Sequence, residues 1–146
     1  MAEEFALDAR LAADTATVAA WPLCELRLMR EARWLWLILV PRAAEAAEIF
    51  DLAAGQQAQL MAEISAAAAA LKQATGCDKV NIGALGNIVR QLHIHIIARN
   101  AGDAAWPGPV WGQGARQNLP PAAETRRLNL LRPLLARAAA NWDKRD

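Results

Sequence analysis

Cysteine, histidine and net charge are all scarce in this chain. Two of its 146 residues are cysteine, two are histidine, and the formal net charge is +1. Cys24 and Cys77 form no C-x-x-C motif. A domain of this length can build its core without disulfides, so two buried, reduced thiols are expected. The near-neutral charge argues against a nucleic-acid partner, whose backbone selects a clearly basic surface. Long apolar runs are missing too. The most apolar stretch, Trp34 to Val40, falls far short of the roughly 20 residues needed to span a bilayer. The acidic start Met1-Ala2-Glu3-Glu4 is followed by no apolar leader. The expectation is a cytoplasmic protein with no membrane partner. No internal repeat occurs, and the length suits one domain over residues 1–146.

What is present alternates between strand and helix patterns. Residues 1–20 read as a partly irregular lead-in. Leu23 to Met29 and Trp34 to Val40 are predicted strands, joined by the polar link Arg30-Glu31-Ala32-Arg33 into an antiparallel hairpin that Pro41 ends. From Ala43 to Thr75 the period becomes helical. Leu60, Ile64, Ala68 and Leu71 share a face, leaving Gln57, Glu63 and Lys72 for water, with Asp51 as N-cap and Gly76 as stop. The alanine run Ala66 to Ala70 suits a close-packing helix face. Lys79 to Ile82 and Val89 to Ala98 are further strands around the turn Gly83-Ala84-Leu85-Gly86-Asn87. A long Gly/Pro-rich loop spans Asn100 to Pro121, and Glu124 to Trp142 is helical with Pro133 inside it. The order predicts an α+β fold: an antiparallel sheet with a long helix on one face and a C-terminal helix.

The two histidines lie two residues apart, in Gln91-Leu92-His93-Ile94-His95-Ile96-Ile97. Strand side chains alternate faces, so Gln91, His93 and His95 share one side and Leu92, Ile94 and Ile96 the other. Paired imidazoles supply a neutral nucleophile and a proton carrier close to neutral pH. By itself such a pair is equally consistent with polar residues on a solvated face, and a zinc site would need ligands from elsewhere. The glycine-containing turn at Gly83–Asn87 brings backbone N–H groups towards an anion or is a plain hairpin turn. Arg99 shares the histidines' parity and would meet a phosphate or, more simply, water. Trp34 and Trp36 read as core or a subunit surface. Trp106 and Trp111, in the long loop, read as a lid, a subunit contact or buried anchors.

The histidine stretch resembles the signature of the histidine-triad (HIT) family, His-φ-His-φ-His-φ-φ with φ apolar. Leu37-Ile38-Leu39-Val40-Pro41-Arg42 is similar to the family's apolar strand ending in proline and a basic residue. Asn81, Gly83 and Gly86-Asn87 are similar to the glycine-containing segment ahead of the triad, and Trp106-Pro107-Gly108 to a tail motif of several members. The resemblance covers roughly residues 20–115, with a C-terminal helical extension at about 122–142. It implies a nucleotide hydrolase or nucleotidyl transferase. His93 would attack the α-phosphorus of a phosphoanhydride, phosphoester or phosphoramidate, in a diadenosine polyphosphate-like or AMP-conjugate substrate, and form a nucleotidyl-histidine. His95 and Gln91 would be its partners, with Asn81, Gly86 and Asn87 lining the phosphate site. No metal or cofactor is implied, and a homodimer is. Two departures stand out. Gln91 replaces the first histidine of the triad, and Ala43-Ala44 follow Pro41-Arg42 where many members carry a histidine. The first departure motivates an alternative: a nucleotide-binding or regulatory protein with weak or no turnover.

Overall fold

The computed structural model describes residues 3–142. A short helix α1 (Ala9–Asp14) leads into strands β1 (Thr15–Ala20), β2 (Cys24–Met29) and β3 (Trp36–Pro41). A 3₁₀ turn (Ile49–Asp51) precedes the long helix α2 (Ala54–Thr75). Strands β4 (Lys79–Gly83) and β5 (Ile94–Arg99) and helix α3 (Pro121–Ala140) complete the order. The five strands form one antiparallel sheet, β1-β2-β3-β5-β4, so the expected α+β architecture is present.

Helices α2 and α3 cover one face of the sheet. Leu26, Leu28, Leu37, Leu39, Ile94 and Ile96 meet Leu60, Ile64, Leu71, Leu131 and Leu135 there. The opposite face is apolar as well: Trp36, Ile38, Val40 and Ile97 pack with Leu11, Trp34 and Val110. Burial on both faces explains why the Trp34–Val40 run shows no polar alternation, and all of β3 is buried. Both cysteines are free and buried. Burial and the neighbouring Glu63 carboxylate push the Cys24 thiol well above its ordinary range.

Four expectations need correction. The irregular lead-in is in fact α1 and β1. Its small residues, Thr15-Ala16-Thr17-Val18-Ala19-Ala20, and a register shift between Thr17 and Ala19 blur the alternation that marks a strand. The Ala43–Thr75 helix is interrupted: Asp51 caps the 3₁₀ turn, accepting from the N–H groups of Ala47 and Glu48, while α2 starts only at Ala54. Its end is as expected, with Gly76 in the left-handed region at φ 63°. Glu63 does not face water. It is fully buried, and its two carboxylate oxygens accept from the N–H groups of Leu23 (3.0 Å) and Cys24 (2.9 Å) just ahead of and at the start of β2. Alanines on most sides of α2 hide that face from a periodicity argument. The histidine strand begins at Ile94 rather than Val89, so His93 sits at its mouth and Gln91 precedes it.

Candidate active site

Strand β5 carries the site. Pairing sets Ile38 opposite His95, with Trp36 opposite Ile97, and β4 sets Gly83 opposite His95 on the other side. Neither histidine is solvated: His93 is 5% exposed and His95 6%. The rings meet edge to face, with centroids 4.8 Å apart.

The hydrogen bonds assign different states to the two imidazoles. His93 Nδ1 lies 2.7 Å from the main-chain carbonyl oxygen of Gln91. A carbonyl only accepts, so Nδ1 holds the proton and the neutral ring keeps its lone pair on Nε2. His95 is engaged at both ends. Its Nε2 donates to the Leu85 carbonyl at 3.1 Å, and its Nδ1 accepts from the indole N–H of Trp36 at 3.0 Å. Burial pushes its pKa down to about 4; the Leu85 bond opposes this shift and the adjacent His93 adds to it. A proton added at Nδ1 would face an N–H, which reinforces the neutral form. His95 is therefore held in its neutral form near pH 7, whereas the pairing of the two imidazoles led to the expectation of a proton carrier.

Two cavities meet at His93. A polar one of about 140 Å³ lies between Ala47-Glu48 and the turn, lined by Gly86, Asn87, Arg90 and Gln91. A mostly apolar one of about 350 Å³ is walled by Leu11, Met29, Ile38, Ile88, Val89 and Trp111, with both histidines on its floor. His93 and Asn87 line both cavities. Gly86 is packed against its surroundings: a Cβ there would stand 3.0 Å from the Val89 carbonyl oxygen and 3.9 Å from His93 Cε1. Among the described residues no three of His, Cys, Asp and Glu cluster as metal ligands, and no helix is long and apolar enough to cross a membrane.

The structure brings Gln91, His93, His95, Gly86 and Asn87 together and sets Asn81 apart. Asn81 lines neither cavity; its Oδ1 accepts from Arg99 Nη1 at 2.7 Å. Arg99 neither meets solvent nor faces the cavities. It is 1% exposed and doubly bonded to Asp103 at 2.8 and 2.9 Å, which holds that carboxyl well below the usual carboxylate range. Arg99, Asn81 and Asp103 thus anchor the start of the long loop. The loop's two tryptophans also separate. Trp106 lies partly exposed beneath Arg99. Trp111 packs on Gly83, where a Cβ would come within 2.9 Å of its ring, and stands edge-on to His95 at 5.3 Å. Sequence reasoning missed three contributions: the Trp36 indole donor, the Leu85 carbonyl, and the N-terminal segment as a cavity wall through Leu11. Strand parity marks Trp36 as a neighbour of His95 only once β3 is known to pair with β5.

Comparisons with known proteins agree with the fold. The family model described as HIT domain matches residues 10–102. A histidine triad protein from Bradyrhizobium japonicum is 47% identical, with 90% of this chain and 98% of that one covered at a TM-score of 0.87. One from Sinorhizobium meliloti is 50% identical over 87% and 94%, with a TM-score of 0.85. One from Marinobacter aquaeolei is 42% identical over 94% and 100%, with a TM-score of 0.91. Among curated proteins none matches the chain. A family model over well more than half of the residues, a shared architecture and identity above 40% across nearly whole chains lead to one conclusion: the chain belongs to the HIT domain family.

Proposed function

We infer that the protein is a nucleotide hydrolase or nucleotidyl transferase that works through a nucleotidyl-histidine on His93. HIT proteins are generally nucleotide hydrolases or transferases. The observation that carries the reading is the 2.7 Å bond from His93 Nδ1 to the Gln91 carbonyl, which leaves the Nε2 lone pair available between a polar and an apolar cavity. The apolar cavity suits a nucleoside, and the polar one suits phosphates, with the Asn87 amide and the Arg90 guanidinium at its rim.

In the first step Nε2 attacks the α-phosphorus. A P–N bond to His93 forms, the bond from phosphorus to the leaving group breaks (P–O in an anhydride or ester, P–N in a phosphoramidate), and the electron pair departs on that oxygen or nitrogen. Water then displaces the imidazole, cleaving P–N, releasing the nucleoside monophosphate and returning His93 to its neutral form. Donors at the 86–90 turn stabilise the charge that develops on the phosphoryl oxygens. His95, neutral and bonded through Nε2–H, contributes shape and a hydrogen bond rather than an acid. Leaving groups that depart without protonation, such as the phosphates of a phosphoanhydride, fit such a site better than alkoxides or amines. Asn81 acts from farther away than the phosphate position that the resemblance implies, by holding Arg99. The reading includes a homodimer, for which the unpaired edge of β4 with its half-exposed Ile82 is the candidate surface; light scattering after size-exclusion chromatography reads its mass.

Incubation with diadenosine polyphosphates and adenosine phosphoramidates tests the proposal. The expected result is AMP release, faster from the anhydrides, with an acid-labile nucleotidyl adduct that His93→Ala abolishes. Undiminished turnover in His93→Ala rules out the nucleophile. AMP binding with no turnover of any of these substrates selects the regulatory alternative.

A further inference from the structure

The Gln91 side chain is bonded at both its polar ends to the N-terminal segment. Its amide Nε2 donates to the Ala6 carbonyl at 2.8 Å, and its Oε1 accepts from the Asp8 N–H, also at 2.8 Å. Those two peptide groups flank Leu7, the pattern one strand offers a parallel neighbour. A carboxamide carries its donor and acceptor side by side and can satisfy both. An imidazole carries its two nitrogens on opposite ring edges and cannot. The replacement of histidine by glutamine therefore has a physical use: it captures a peptide segment. A second contact supports the capture, because Arg10 Nη1 donates to the Ile88 carbonyl at 3.3 Å. Beyond the tie, Phe5 and Leu7 pack on the apolar cluster of the histidine face, and Leu11 walls the larger cavity.

The main-chain carbonyl of this same residue fixes the His93 tautomer. We propose that Gln91 is a positioning residue whose side chain clips the N-terminal segment, residues 6–8, to the mouth of β5, and that this clip holds the Gln91 carbonyl in line with His93 Nδ1. The catalytic consequence rests on the function inferred above, whereas the clip itself does not. Docking of the segment and orientation of the nucleophile become one event, since a peptide unit held from its side chain cannot swing its carbonyl freely.

Two kinds of measurement on the full-length chain test this. Amide hydrogen exchange at Asp8 and the imidazole Nδ1–H resonance of His93 need no substrate. AMP release from a diadenosine polyphosphate adds kcat and KM. Gln91→Ala is expected to speed exchange at Asp8 about tenfold or more, broaden the His93 Nδ1–H signal, and lower kcat about tenfold with KM within about twofold, because misplacing a reacting group acts on the chemical step. Gln91→Glu keeps the acceptor and loses the donor, so it falls between. Deleting residues 1–8 gives the same kcat loss, and combining it with Gln91→Ala adds nothing further. Unchanged Asp8 exchange in Gln91→Ala overturns the clip. Faster exchange with an unaltered His93 resonance overturns the coupling, as does an additive double variant. A wild type without turnover refutes the proposed function alone, and the two resonance-level readouts still decide this one.

Discussion

Acid should weaken the folded protein through His95, and the size of the effect follows from its surroundings. The ring is buried, bonded at both nitrogens, and held at a pKa of about 4. An unfolded chain exposes the same imidazole with a value of about 6.5. Between these pH values the unfolded chain carries a proton that the folded protein refuses, so lowering the pH favours unfolding. The contribution is fully present above about pH 6.5 and declines as pH falls towards 4. The slope is about 1.4 kcal/mol per pH unit, for a loss of about 3 kcal/mol across the window. From pH 7 to about pH 5 the expected loss is about 2 kcal/mol, in a range where unfolded carboxylates are still mostly ionised. Urea denaturation at the two pH values measures it. Replacing His95 with glutamine removes the titrating group, so the variant should lose about 2 kcal/mol less than wild type between them. Because His93 lies against His95, with ring centroids 4.8 Å apart, the same comparison is made in a His93→Ala background, which removes the coupling between the two rings. If His95→Gln loses as much stability as wild type over that interval, His95 is not held neutral and the assignment of its two hydrogen bonds is wrong.

Three further outcomes follow from the same contacts. Trp36→Phe removes the donor on His95 Nδ1, so the His95 titration followed by NMR should move upward; an unmoved titration shows that the indole bond does not enforce the neutral ring. Gly86→Ala places a Cβ 3.0 Å from a backbone oxygen, which cannot rotate away. The turn must shift, and nucleotide turnover should fall more than about tenfold while the fold persists by circular dichroism; wild-type kinetics would show that the turn's placement is unimportant. Glu63→Ala strands the buried N–H groups of Leu23 and Cys24, and should cost about 3 kcal/mol in urea denaturation, at about 1–3 kcal/mol per unsatisfied donor. Glu63→Gln, which keeps one acceptor, should cost less, and equal losses would point to side-chain volume instead.

Much of the architecture was legible because it rests on local signals. The unbroken apolar run at Trp34–Val40 marked the central strand, Gly76 marked the end of the long helix, and the alternation around His93 and His95 placed them on one side of a strand. Segments whose local signals conflict or fade were read less well. Thr15–Ala20 is too small-residued to show a pattern, yet it pairs along β2. Asp51 has a capping side chain, but caps the turn before the helix rather than the helix. Glu63 looked solvent-facing because its partners, the N–H groups of Leu23 and Cys24 at the entry to β2, lie some 40 residues away.

At the site the division is sharper. Residue order alone picked out His93 and His95 and the glycine turn beside them, since these depend on spacing within one segment, and only the resemblance to the HIT signature marked Gln91 as standing where a histidine was expected. Tertiary structure decided what each touches. The ionisation of His95 is set by burial, by the Leu85 carbonyl and by the neighbouring His93, while its other nitrogen meets an indole 59 residues away. The side-chain hydrogen bonds of Gln91 go to a peptide segment more than 80 residues earlier. Asn81 and Arg99 were drawn into an anchor for the long loop by Asp103. Hydrogen-bond partners and desolvation are set by what the folded chain brings within about 3 Å of a group, and for these residues those neighbours come from distant parts of the chain.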